Sequence, residues 1–82
     1  MTPKHVRVLF FGAVAESAGR RETEMEIADG ETASALLKRI VLEQPTLSKL
    51  ALLVSINQQH STFEEVLANG DEVAIFTAVS GG

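Results

Sequence analysis

Glu72-Val73-Ala74-Ile75-Phe76-Thr77-Ala78-Val79 stands just before the last three residues of an 82-residue chain, and its reading decides the fold. Val73, Ile75, Thr77 and Val79 fall on one side of an extended strand, and Ala74, Phe76 and Ala78 on the other. Strands buried on both faces carry the most continuous apolar runs, so this one belongs in the middle of a sheet. Near the start of the chain Val6, Val8 and Phe10 alternate with Arg7, Leu9 and Phe11, a second run of the same kind. The two most apolar strands therefore lie side by side at the centre, and both ends of the chain are tied into one sheet.

The remaining elements build outward from this pair. Residues 13–19 form a connection with a helical turn over Val14 to Ala18, after which Glu22, Glu24 and Glu26 alternate with Thr23, Met25 and Ile27. That acid face suits an edge strand antiparallel to the first, because a row of carboxylates discourages further pairing. Asp29-Gly30 makes a turn, and Thr32 caps a helix from Ala33 to about Glu43, whose apolar stripe is Leu36, Leu37, Ile40 and Val41, with Lys38 and Arg39 left to solvent. Pro45 ends it. Leu52 to Asn57 reads as a short strand with Val54 and Ile56 on one side; Thr62 and Glu65 have capping-box spacing and predict a helical turn over Phe63 to Leu67. Asn69-Gly70-Asp71 reverses the chain into the last strand. The sum is a two-layer α+β roll, a mixed four-stranded sheet with one main helix packed on one face. Residues 1–79 make the domain and residues 80–82 a flexible tail.

Composition restricts the functions open to such a chain. It is 45% hydrophobic and 22% charged, with a formal net charge of −4 and no cysteine. The acidic balance and scattered basic residues argue against nucleic acid as a partner. No apolar run approaches the roughly 18 residues that span a bilayer, and Met1-Thr2-Pro3-Lys4-His5 lacks a signal peptide's apolar segment, so the expectation is a cytoplasmic protein with no membrane partner. His5 and His60 do not have metal-ligand spacing, and no metal is expected. The serines lack a nucleophile elbow, and Gly12 and Gly19 do not form a phosphate loop.

Two features remain as candidate sites. Gly81 and Gly82 close the sequence. Without Cβ atoms they can thread a narrow channel, and residues 80–82 fully extended reach roughly 10 Å. A carboxylate delivered this way needs activation, as an acyl phosphate or acyl adenylate, before it can react. A frayed terminus is the plain alternative. The second feature is Leu9, Phe11 and Phe76 on the sheet face without the helix, where two of the four phenylalanines fall. They suit a docking patch near the base of the tail, against the plain alternative of a few exposed apolar side chains.

Val8-Leu9-Phe10-Phe11-Gly12 with Ala18-Gly19, then Val54-Ser55-Ile56-Asn57-Gln58, then Asn69-Gly70-Asp71-Glu72-Val73-Ala74, and finally Val79-Ser80-Gly81-Gly82 run in family order. Together they resemble the small subunits of molybdopterin synthase, which are β-grasp, ubiquitin-like sulfur carriers. The resemblance implies that an adenylating enzyme uses ATP to convert the Gly82 carboxylate to an acyl adenylate. A sulfur donor then displaces AMP and leaves a thiocarboxylate. It further implies that the tail enters the large subunit and gives its sulfur to a pyranopterin precursor, no cofactor being bound by the carrier itself. Gly82 is the reactive residue on this reading and Gly81 permits entry. Val79 and Ser80 are tail contacts, and Phe11, Phe76 and His60 meet the partner. Thr77-Ala78 stands where many relatives carry two prolines, and His60 where some carry an apolar residue. Asn57 and Asp71 match family positions, and turn hydrogen bonding accounts for them. Two other readings stay open: a carrier for a different pathway, such as the thiazole of thiamine, or a protein modifier, and an interaction domain with an idle tail.

Overall fold

The computed structural model describes residues 3–78. Strand β1 spans Lys4–Phe10, helix α1 Gly12–Ala18, strand β2 Glu22–Ile27, helix α2 Ala33–Glu43, strand β3 Leu52–Ile56, strand β4 Gln59–His60 and strand β5 Glu72–Thr77. The sheet order is β2-β1-β5-β3-β4. As the apolar runs predict, β1 and β5 lie adjacent at the centre, and they run parallel with Val8 opposite Val73 and Phe10 opposite Ile75. Strand β2 pairs antiparallel with β1 and forms one edge. Its three glutamates are exposed.

The core fills the side of the sheet covered by the helices. Val6, Val8 and Phe10 of β1, Val54 and Ile56 of β3, and Val73 and Ile75 of β5 all point there and are buried. Leu36 and Ile40 of α2 close on them, with Val14 and Ala18 of α1 and Leu47 of a 3-10 turn over Pro45–Lys49. Each fully buried Leu, Ile or Val contributes about 1.5–3 kcal/mol relative to exposure. Helix α2 starts as predicted, the Thr32 hydroxyl accepting from the Ala35 N–H at 3.1 Å. Gly70, at φ 87°, turns the chain into β5, and its N–H donates to the His5 carbonyl at 2.7 Å.

Four expectations need correction. The sheet has five strands, because Asn57 and Gln58, at φ 53° and 69°, form a two-residue type I′ turn that folds Gln59 and His60 back onto β3. Residues 12–18 form a two-turn helix, longer than the single turn expected. The segment from Phe63 to Leu67 is not helical; its backbone is spent on α2. The Phe63 and Glu65 carbonyls accept from the Ser34 and Ala33 N–H groups at 2.7 and 3.0 Å, and Val66 bridges Thr32. Those N–H groups belong to the first turn of a helix, where no intrahelical acceptor exists. Strand β5 ends at Thr77, short of the expected Val79.

Candidate functional site

Alternation sends every second residue of the sheet to the face that no helix covers. Register then sorts these residues into rows. One row crosses all five strands as Glu22, Leu9, Ala74, Ser55 and His60. On one side of it lie Glu24, Arg7 and Glu72, and on the other Phe76 and Leu53. The open face is therefore divided. Its charged half sits where β5 begins and its apolar half where β5 ends, the end from which residues 78–82 continue.

The charged half neutralises itself. Arg7 donates from Nε to Glu22 at 2.8 Å and lies 3.7 Å from Glu72. The hydrogen bond and charge of Glu22 hold the Arg7 guanidinium above its ordinary pKa, with Glu72 adding to the effect, so Arg7 stays charged throughout the working range. Exposed pairs of this kind are worth about 0–1 kcal/mol each. Beyond the rim of the open face, Lys4 lies 2.7 Å from Asp29 and holds that carboxyl below its usual range, by hydrogen bond and then by charge.

The apolar half carries the predicted partner residues. Phe11 follows β1, its N–H donating to the Ile75 carbonyl at 3.1 Å, and its carbonyl accepts from Val14 and Ala15 to open α1. This double use fixes the backbone while leaving the residue 50% exposed. Phe76 is half-buried on β5. The structure brings His60 to it: the two rings meet edge to face with centroids 6.2 Å apart at 64°. Leu53, opposite Phe76 on β3, is 38% exposed and extends the patch. Sequence reasoning missed it, although the alternation that sends Val54 and Ile56 inward sends Leu53 and Ser55 outward. Asn57 and Asp71 serve the turn: the Asn57 amide donates to Asp71 at 3.0 Å and its oxygen accepts from the Glu72 N–H at 3.0 Å. Val79, Ser80, Gly81 and Gly82 lie outside the described residues. Among the described residues no three His, Asp or Glu side chains gather as a metal site requires, and no helix is long and apolar enough to cross a membrane.

A mixed five-stranded sheet with parallel central strands, wrapped on one side around α2, defines a β-grasp protein of the ubiquitin-like class. The comparisons with known proteins agree. The crystal structure of small archaeal modifier protein 1 from Haloferax volcanii superposes with a TM-score of 0.83 at 27% identity, over 93% of this chain and 99% of that one. The ThiS family model matches residues 8–82. The molybdopterin synthase sulfur carrier subunits of Escherichia coli strain K12 and Chlamydomonas reinhardtii are 37% and 35% identical to the chain over 81 residues each. Both alignments cover 94% of this chain, and 99% and 98% of the respective relatives. The chain belongs to the ThiS family.

Proposed function

We propose that this protein is a sulfur carrier for molybdenum cofactor biosynthesis, and that it acts as a protein cosubstrate through the carboxylate of Gly82. The observation that carries the reading is the family match extending to residue 82, through Gly81-Gly82, with relatives named as sulfur carrier subunits along nearly their whole length. An adenylating enzyme is the first partner. A carboxylate oxygen of Gly82 attacks the α-phosphorus of ATP, pyrophosphate leaves, and an acyl adenylate forms. Sulfur at the oxidation level of sulfide, brought by a sulfur donor, then attacks the acyl carbon. AMP leaves with the carboxylate-derived oxygen, and a thiocarboxylate remains.

The second partner is the large subunit of the synthase. Phe11, Phe76, Leu53 and His60 dock on it, forming an apolar centre rimmed by the charged half of the open face, the arrangement that stable interfaces favour. Val79, Ser80 and Gly81 lead the thiocarboxylate into the large subunit's active site. Its sulfur attacks the pyranopterin precursor, and water then cleaves the acyl–sulfur bond, restoring the Gly82 carboxylate and leaving sulfur on the product. Two carriers in turn supply the two sulfurs of the dithiolene.

The test is intact-mass spectrometry after incubation with ATP, the host's adenylating enzyme and sulfide, beside a variant lacking Gly82. Replacement of one oxygen by sulfur in the full chain alone is the expected result. An unchanged mass with a demonstrably active enzyme would refute the reading. The similarity to a small archaeal modifier protein favours a second use of the same adenylate, capture by a lysine amine to form an isopeptide. Adducts on other proteins that need Gly82 but not sulfide would mark it.

A further inference from the structure

Helix α2 is apolar beyond the stripe that the sheet covers. Ala33, Leu36 and Ile40 are buried, whereas Leu37 and Val41 are only half-buried and Leu42 is 80% exposed. With Ser34, Lys38 and Phe63 these last three line a groove of about 570 Å³ on the helix layer, away from the open face of the sheet. A helix apolar around more than one stripe is normally covered on more than one side. The walls are also held in place, since the Ser34 N–H donates to the Phe63 carbonyl at 2.7 Å and ties the loop wall to the helix wall. A groove fixed in advance lowers the ordering cost of binding.

Charge decides among occupants. Lys38 is the one charged residue in the lining, and no ion pair among the described residues engages it. An isologous pair of chains repeats the same patch on both sides. It would set Lys38 of each lining against a groove with no carboxylate in it, between two chains of net charge −4. A partner with its own carboxylate has neither cost. We infer that the groove receives an amphipathic helix of a partner protein, seating apolar side chains at three- and four-residue spacing on Leu37, Val41, Leu42 and Phe63 and placing an Asp or Glu beside Lys38. This partner is separate from the one that meets the open face, and both can be held at once.

The experiment places photoreactive p-benzoylphenylalanine at Leu42 of the full chain in its host cells, and at Leu53 in a parallel strain. The expected outcome is a Leu42 adduct whose peptide, read by mass spectrometry, has apolar residues at three- and four-residue spacing and an acidic residue within a turn of the crosslink. Lys38→Glu should lower its yield about tenfold or more, since like charges in an interface cost several kcal/mol, and Lys38→Arg should restore it. The Leu53 adduct should not respond to Lys38→Glu. An adduct with a second copy of the chain, no adduct at Leu42, or a yield indifferent to Lys38→Glu would each overturn the inference. Loss of the Leu53 adduct alone would count against the proposed docking face and leave the groove assignment standing.

Discussion

The covered and open faces of the sheet draw on the same strands and on alternate residues of the same runs, yet they end in different states. On the covered face Val6, Val8, Val73 and Ile75 are almost wholly buried. One residue away, Leu9 and Phe76 keep part of their surface in solvent and Leu53 keeps more. Strand propensity does not separate the two sets. What separates them is α2, whose Leu36 and Ile40 lie over one face and leave the other without a layer. Apolar area on the first face drives folding, and on the second it is available to a partner.

Substitutions on the two faces should therefore fail in different ways. The largest effect belongs to the covered face: Leu36→Ala should lower the unfolding free energy by about 2–5 kcal/mol in a denaturant titration, by lost transfer energy and the cavity left behind. Phe11→Ala on the open face breaks or sharpens the contrast. It should change stability by about 1 kcal/mol or less while weakening docking on the synthase large subunit tenfold or more, measured by titration calorimetry. A Phe11→Ala protein as unstable as Leu36→Ala would mean that the faces do not differ in kind. Thr32→Ala removes the cap of the covering helix and should cost about 1 kcal/mol in stability with docking unchanged, because the lost bond serves the Ala35 N–H and not the open face.

The smallest effect lies at the rim. Lys4 depresses the Asp29 pKa in the folded protein, so the contribution of this pair is present above the unfolded carboxylate value of about 3.9 and disappears as pH falls through the lower folded value. Thermal melts between pH 5 and pH 2 should show an acid loss that is slightly shallower in Asp29→Asn. A steeper loss in that variant would contradict the sign.

Much of this architecture is legible in the residues because the patterns are local. Two-residue alternation places β1, β2 and β5. The i, i+1, i+4, i+5 stripe places α2, and Thr32 and Pro45 bound it. The prediction failed where a tertiary partner competes for the backbone. Thr62 and Glu65 have the spacing of a capping box, yet the Phe63 and Glu65 carbonyls are taken by the unsatisfied N–H groups at the start of α2. Asn57-Gln58 lacks the glycine that signals a tight hairpin, so β4 was not predicted, and with it the seat of His60 beside Phe76. The sites divide in the same way. Phe11 and Phe76 on the open face are readable from parity, whereas Leu53 joins them only through the β3–β5 register.

The sequence by itself determined the element types, the central placement of its two most apolar strands and the Gly81-Gly82 ending on which the proposed chemistry rests, because each depends on spacing along the chain. Only the tertiary structure decided which apolar residues stay uncovered. It set the row that brings His60 to Phe76, the charged half that Arg7 neutralises, and the outward groove of α2. Exposure is a property of what packs opposite a residue, and the chain brings those opposites together from positions far apart in sequence.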